Sequence, residues 1–270
     1  MNKKTAWVSG ASSGLGLHIA LALEKHGYTV VGGARSFDME NSAKPEISYC
    51  LPLDVTCEES AQGFVDKALS LASAPSVMVN AAGILNLGPA ENYTEDELKS
   101  VMEVCFFGAA RMTRLALPYL RKTKGTIVNM SSINGVLATP FEGAYSAAKH
   151  ALEGFSEALA MEIHSQGVNV MVVEPGDHRG GQKRYRAHAS NVDPIYKMDY
   201  ENTVSTIEHD EREGLFPEKL GEKVAKALNK KRPPYRLKVA SFTQLLAVCL
   251  HKILPPSLFF KIMRKYYGMK

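Results

Sequence analysis

A single α/β domain, built on a doubly wound parallel sheet of about seven strands, is the fold class this sequence predicts. Three observations carry that expectation. An apolar run at residues 5–9 (TAWVS) meets a glycine-rich loop and then a helix-forming run to His26. Short apolar runs then alternate with longer helical stretches, recurring at 28–34, 47–53, 76–79, 125–131 and 168–173. Finally, 270 residues with 45% hydrophobic and 22% charged side chains are enough for one full core of ordinary composition.

In chain order, the first strand is followed by Gly10-Ala-Ser12-Ser13-Gly14-Leu15-Gly16. Gly10 suits a tight turn, Gly14 lets backbone approach a pyrophosphate, and Gly16 allows close helix–strand packing. The helix that follows offers its free N–H groups to phosphate. A plain tight loop would use the same glycines, so the flanking strand and helix are what give the motif weight. The second strand, 28–34, ends at Arg35-Ser36 with no acid, and a polar linker to Ile47 predicts a shrunken or missing second helix. The third strand, Ile47 to Leu53, ends at Asp54-Val55, where the acid could also act as an N-cap for a helix from about Glu58. The fourth runs into the small-residue turn Asn80-Ala81-Ala82-Gly83. Thr94 to Leu120 reads as one long helix opened by a capping box, Thr94 to Glu97.

The stretch from Gly125 to Lys149 organises the rest. Its apolar run ends at Ser131-Ser132, an irregular segment holds Gly135 and Pro140, and a helix predicted over Ala144–His164 places Tyr145 and Lys149 on one face. A hydroxyl, a phenol and an ammonium so placed can polarise a carbonyl and pass it a proton. A free phenol has a pKa near about 10, and a cation within ~4–6 Å can lower it by one to three units. Tyr-x-x-x-Lys alone is also ordinary amphipathic spacing, and it recurs at Tyr266 and Lys270 in a C-terminus that reads as frayed. After a strand at 168–173 comes Glu174-Pro175-Gly176. The span from Gln182 to about Arg212 shows no clean periodicity, as suits a substrate lid; Lys183, Arg184, Arg186 and His188 make its start basic, which reads as a solvated charge run. A helix at Pro217–Asn229 and an edge strand at Tyr235–Ala240 complete the sheet, and 242–267 predicts two apolar helices broken at Pro255-Pro256.

The net charge of +4 is mild, and no basic patch interleaved with aromatics suggests nucleic acid. The four cysteines form no Cys-x-x-Cys pair, which points to a reduced, cytoplasmic setting without a structural metal. The first strand begins too early for a signal peptide, and LLAVCL at 245–250 is too short to span a bilayer.

The glycine spacing, the serine thirteen residues before the tyrosine, and the Tyr/Lys pair together resemble the short-chain dehydrogenase/reductase family from residue 5 to about 240. The C-terminal tail is similar to that of its hydroxysteroid and retinol dehydrogenase members. The resemblance implies a Rossmann fold, with 1–240 forming the dinucleotide-binding and catalytic body and 241–270 a helical extension of the same domain. It implies a catalytic trio of Ser132, Tyr145 and Lys149. Cofactor contacts would come from Gly10, Ser12, Ser13, Gly14, Leu15, Gly16, Arg35, Ser36, Asp54, Val55, Asn80, Ala81, Ala82, Gly83, Pro175 and Gly176, with Asp54 facing the adenine and Asn80 bracing neighbouring strands. Arg35 without an acid favours NADP (NADPH) over NAD, unless it is only a solvated turn arginine.

Two positions depart from the family's pattern. Cys105 stands where relatives carry an asparagine that holds a relay water, and Gly180 stands where they carry a cofactor-contacting threonine. The expectation is reversible hydride transfer between NADP(H) and an apolar secondary alcohol or ketone, such as a steroid or retinoid. A reductase of small carbonyl or acyl substrates, or a nucleotide-binding regulator with an eroded site, remain alternatives. The broadly apolar helix after Ala144 suggests a homodimer or homotetramer. The tail could roof the substrate pocket, pack on a partner subunit or lie in a membrane interface.

Overall fold

Runs of β-branched and small apolar residues make the strands of this sheet apolar on both faces, as a sheet covered by helices on each side requires. The computed structural model describes residues 3–38, 45–180 and 186–270. Its strands are β1 (Thr5–Ser9), β2 (Thr29–Ala34), β3 (Tyr49–Pro52), β4 (Pro75–Asn80), β5 (Leu85–Leu87), β6 (Thr126–Met130), β7 (Asn169–Pro175), β8 (Arg186–His188) and β9 (Arg236–Val239). The helices are α1 (Gly14–Lys25), α2 (Glu58–Leu71), α3 (Glu95–Met102), α4 (Gly108–Thr123), α5 (Gly143–Glu162), α6 (Lys197–Glu213), α7 (Pro217–Leu228), α8 (Phe242–Ile253) and α9 (Pro256–Tyr266).

Seven strands form one parallel sheet in the order β3-β2-β1-β4-β6-β7-β9. The order reverses between β1 and β4, and the carboxyl ends on either side of that point frame a crevice. Alternate residues feed two cores. Ala6, Val8, Val77, Val79 and Val128 pack under α1 and α7, while Trp7, Met78 and Ile127 pack with Phe64 of α2 on the face covered by α2, α4 and α5. The first face is tight: a Cβ on Gly221 of α7 would lie 2.2 Å from the His18 carbonyl oxygen of α1. A polar thread fixes the other layer. Asn80 donates to Thr113 Oγ1 (2.9 Å) and Asn129 Oδ1 (2.8 Å), and Asn129 donates to Ser156 Oγ (2.8 Å), joining β4 and β6 to α4 and α5.

The seven-strand sheet, the edge strand β9, the capping box at Thr94 and the two tail helices agree with the sequence reading. The linker after β2 begins as a short 3-10 turn, Arg35–Asp38, with residues 39–44 outside the described set. Two expectations need correction. The helix expected over Thr94–Leu120 is broken by a π-helical turn, Glu103–Phe107, between α3 and α4. The span from Gln182 to about Arg212, expected as a substrate lid without clean periodicity, holds nearly all of the 17-residue α6. Its buried positions are only Thr203, Ile207 and Glu211, spaced four apart but chemically mixed, so no hydrophobic period marks them.

Candidate active site

The crevice at the carboxyl ends opens into a cavity of about 890 Å³. Gly10 has φ 72°, and a Cβ there would lie 2.7 Å from the Ala82 backbone nitrogen. Gly16 is tighter still, since its Cβ would lie 2.3 Å from the Gly10 carbonyl oxygen. These two glycines let α1 start hard against the β4 turn, with its N-terminus facing the cavity. The first turn of α1 carries no acid, which leaves the positive end of the helix dipole to attract an anion. At the end of β2, Arg35 is exposed on the cavity wall beside Ser36, and buried Phe37 anchors the turn. A cradle of backbone N–H groups with an exposed arginine fits the phosphates of a dinucleotide.

Asp54 lines the same wall, but its Oδ1 accepts from Thr56 N (2.9 Å) and Thr56 Oγ1 (2.8 Å). The residue that caps α2 is Cys57, so the expected N-cap role for Asp54 is replaced by an internal turn. Every residue named above as a catalytic or cofactor candidate lines this cavity except Asn80, which is spent on the strand-bracing network.

At the centre, the N-terminal half of α5 faces the end of β6. Ser132 Oγ accepts from Asn134 N (3.1 Å), which leaves its hydroxyl proton to donate. Lys149 is buried and donates to the Met130 carbonyl (2.6 Å), with Nζ 5.4 Å from the centre of the Tyr145 ring. Burial pulls the lysine down from its ordinary value. Burial also pushes the Tyr145 phenol well up, helped by Cys105 and Glu142, while a hydrogen bond with Ser132 opposes the shift. Burial dominates, so the direction is upward, opposite to the lowering expected from Lys149.

Cys105 sits in the π turn, 1% exposed. Its thiol accepts from Ile84 N (3.4 Å) and donates to the Ile84 carbonyl (3.3 Å), clamping the segment after the β4 turn. We expect Cys105→Asn to change kcat by only a few fold. A gain of a hundredfold, about 2.7 kcal/mol of barrier, would show instead that the thiol impairs turnover. Gly180 lines the cavity at φ 76°, a conformation a threonine would strain to adopt.

Sequence reasoning missed the acidic end of the cavity. Glu142, Asp177, Asp210 and Glu211 all line it. Glu142 lies three residues before Tyr145 and is bonded by Asn134 Nδ2; burial and then the Asp177 charge push it up to about 8. Asp177, bonded by Gln244 Nε2, is pushed up to about 7, again by burial first and then by Asp210 and Glu211. Arg186, expected in a solvated run, has a side chain only 3% exposed and pairs with Glu208 and Glu211. Burial of its α6 partners, invisible in the local sequence, makes the difference. Lys183 and Arg184 lie outside the described residues.

A carboxyl with a raised folded pKa keeps a proton that the unfolded chain has released, so stability falls as pH rises between 4.5 and about 8 for Glu142. Thermal melts should show the wild-type Tm declining across that window and Glu142→Gln declining less. Equal slopes in both proteins would refute the assignment.

The tail closes the cavity. Thr243, Gln244, Leu246, Ala247 and Leu250 of α8 line it, as do Ile262, Met263, Tyr266 and Tyr267 at the end of the chain. The helices are held by Phe259 and Val248, both buried against Leu137, and by Tyr266 OH donating to Asp210 (2.7 Å). The C-terminus expected to fray is thus ordered, because buried Tyr267 packs with Leu87 and Ile207.

Comparison with known proteins agrees with this fold. Residues 4–187 match the family described as short chain dehydrogenase. A 3-ketodihydrosphingosine reductase from Bacteroides thetaiotaomicron is 35% identical over 273 residues, covering 100% of both chains. The rat mitochondrial D-beta-hydroxybutyrate dehydrogenase is 30% identical, covering 80% of this chain and 66% of its own. A solved short-chain dehydrogenase from Streptomyces avermitilis superposes with a TM-score of 0.82 at 30% identity, covering 100% of this chain and 99% of that one. The chain belongs to the short-chain dehydrogenase/reductase family, whose Rossmann fold binds a nicotinamide dinucleotide. It is an oxidoreductase.

Proposed function

We propose that this enzyme uses NADPH to reduce a ketone on a bulky substrate with an apolar body and a cationic or neutral polar end. The observation that supports this best is the cavity itself, where Ser132 and neutral Tyr145 lie between a phosphate cradle, an apolar roof and a set of carboxylates. The cofactor would be held by the Gly10–Gly16 loop, by Arg35 and Ser36 at the adenosine end, and by Lys149 near the reacting end. It supplies a hydride. Ser132 donates to the carbonyl oxygen, which carries the growing charge, and Tyr145 gives that oxygen its proton. In the reverse direction the same groups take the proton from an alcohol.

Steroid and retinoid substrates fit the apolar roof but use none of the acidic end. A ketone of the 3-ketodihydrosphingosine type, which carries an ammonium beside the carbonyl and a long alkyl chain, uses both. The full-length relative acts on that class by name. A carboxylate substrate such as 3-hydroxybutyrate would find four acidic side chains, Glu142, Asp177, Asp210 and Glu211, at this end of the cavity and gain nothing from it. Self-association through the outer faces of α4 and α5, beside Phe107 of the π turn, which is 45% exposed, is part of the same proposal.

The test is NADPH and NADH consumption with 3-ketodihydrosphingosine, a keto-steroid, retinal and a small cyclic ketone. Turnover should be fastest with the first and with NADPH. Preference for the small ketone would overturn the substrate reading. Arg35→Asp should cost tenfold or more in NADPH affinity, since a charge-assisted hydrogen bond contributes about 1.5–3 kcal/mol, and should move preference toward NADH. A wild-type enzyme that already prefers NADH would contradict the arginine's role.

A further inference from the structure

We infer that α8 and α9 form a face that docks on an anionic lipid bilayer, with the mouth of the cavity opening toward the lipid. This goes beyond the proposed reaction and stands whichever ketone is the substrate.

The first ground is exposure with helical spacing. Phe242, Leu246, Cys249 and Ile253 recur at intervals of four, three and four along α8, so they share one face. That face points to solvent: Phe242 is 80% exposed, Leu246 46% and Ile253 74%, and Cys249 is exposed as well. On α9, Leu258 (45%), Ile262 (40%) and Tyr266 (53%) repeat every four residues. The opposite sides of both helices hold the tail to the body through Val248 and Phe259. Both helices are thus apolar toward the fold and again at Phe242, Cys249, Ile253 and Leu258, which the fold leaves exposed.

The second ground is charge. Residues 241–270 contain Lys252, Lys261, Arg264, Lys265 and Lys270 and no Asp or Glu. The whole chain has 32 basic and 28 acidic residues, so the remainder carries 27 against 28 and is slightly negative. The entire positive excess of the protein therefore lies on the tail. A helix pair with exposed Phe, Leu and Ile beside lysine and arginine is the pattern that settles in the headgroup region, its apolar side chains among acyl chains and its cations among anionic headgroups. No described helix is long and apolar enough to cross a membrane, so this contact is with the surface.

The third ground is position. Leu246, Ile262 and Tyr266 are at once exposed and part of the cavity wall, which puts the entrance within this face. An apolar ketone dissolved in a bilayer would reach the reacting groups without crossing water.

The experiment uses the full-length chain and vesicles of phosphatidylcholine, alone or in equal parts with phosphatidylglycerol, read by co-sedimentation. The protein should pellet with the mixed vesicles, less with phosphatidylcholine alone, and be released by high salt. Phe242→Asp combined with Ile253→Asp should weaken binding by about tenfold or more, and Lys261→Glu with Lys265→Glu should remove the preference for anionic lipid. Circular dichroism melts matching the wild type would show that both variants fold. Wild-type protein that stays in the supernatant with mixed vesicles overturns the inference. So does a Phe242→Asp/Ile253→Asp variant that binds normally. If that variant instead turns a dimer into a monomer with vesicle binding unchanged, the face belongs to a second copy of the chain and the inference also fails.

Discussion

Tyr145→Phe is expected to lower kcat for ketone reduction by roughly 10²–10⁴-fold, the usual worth of a positioned general acid, while cofactor affinity stays nearly unchanged. The ring packs with Val101, Cys105, Ala144 and Ala148, and phenylalanine keeps all of that contact, so the fold should be undisturbed. What is lost is the hydroxyl, with its hydrogen bond to Ser132 and its proton. Stopped-flow or steady-state NADPH oxidation measures the first effect and fluorescence titration of NADPH the second. A variant with near-wild-type kcat would end the mechanism.

The pH profile separates two versions of that mechanism. Were Lys149 dominant, the phenol would ionise close to neutrality and reduction would slow as pH rose past that point. The structure pushes the phenol above its ordinary value of 10.0, so the donor stays protonated and reduction by the wild type should show no loss assigned to Tyr145 at neutral or mildly alkaline pH. Any loss in that range is expected to come from Glu142 and Asp177, raised to about 8 and about 7. Comparing wild type with Glu142→Gln assigns any limb in that range.

The division between what the sequence showed and what it hid follows the range of the interactions. Gly10, Gly14 and Gly16, the capping box at Thr94, and the Tyr145–Lys149 spacing are local devices, and each is legible within a few residues. The parallel sheet of about seven strands was legible because apolar strand runs alternate with helical stretches, while the strand order itself is visible only in the fold. The acidic end of the cavity was not legible. Glu142, Asp177 and Glu211 are far apart in sequence and meet only when α5, the β7 loop and α6 converge. Arg186 looked solvated for the same reason, since its partners Glu208 and Glu211 arrive on a helix with no apolar stripe. The π turn at Cys105 is invisible to a 3.6-residue pattern, because one extra residue in a turn leaves composition untouched. Cys105 read as a departure on family resemblance alone; that its thiol bonds both backbone groups of Ile84 shows only in the fold.

The tail has an inner and an outer surface, and substitutions on the two should have separable effects. Leu250 and Met263 face the cavity, and Met263 joins the clusters around Leu137 and Leu87. Leu250→Ala with Met263→Ala removes several methylene contacts from a bulky ligand. At about 0.8 kcal/mol for each buried CH₂, losing three costs roughly 2.4 kcal/mol, so KM for a long-chain ketone should rise about fiftyfold. A small ketone never reaches these side chains, and its kcat/KM should stay within a few fold. Truncation does widen a partly buried cluster, so Tm will drop, but a stability loss alone would lower activity on both substrates together. Phe242→Asp with Ile253→Asp lies on the other surface and should leave KM for a micelle-dispersed ketone unchanged while weakening attachment to vesicles. If the inner pair affects large and small ketones equally, the helices serve only to hold the fold, and the bulky-substrate proposal loses its structural support. If the inner pair alone releases the protein from vesicles, the two surfaces have been assigned the wrong way round.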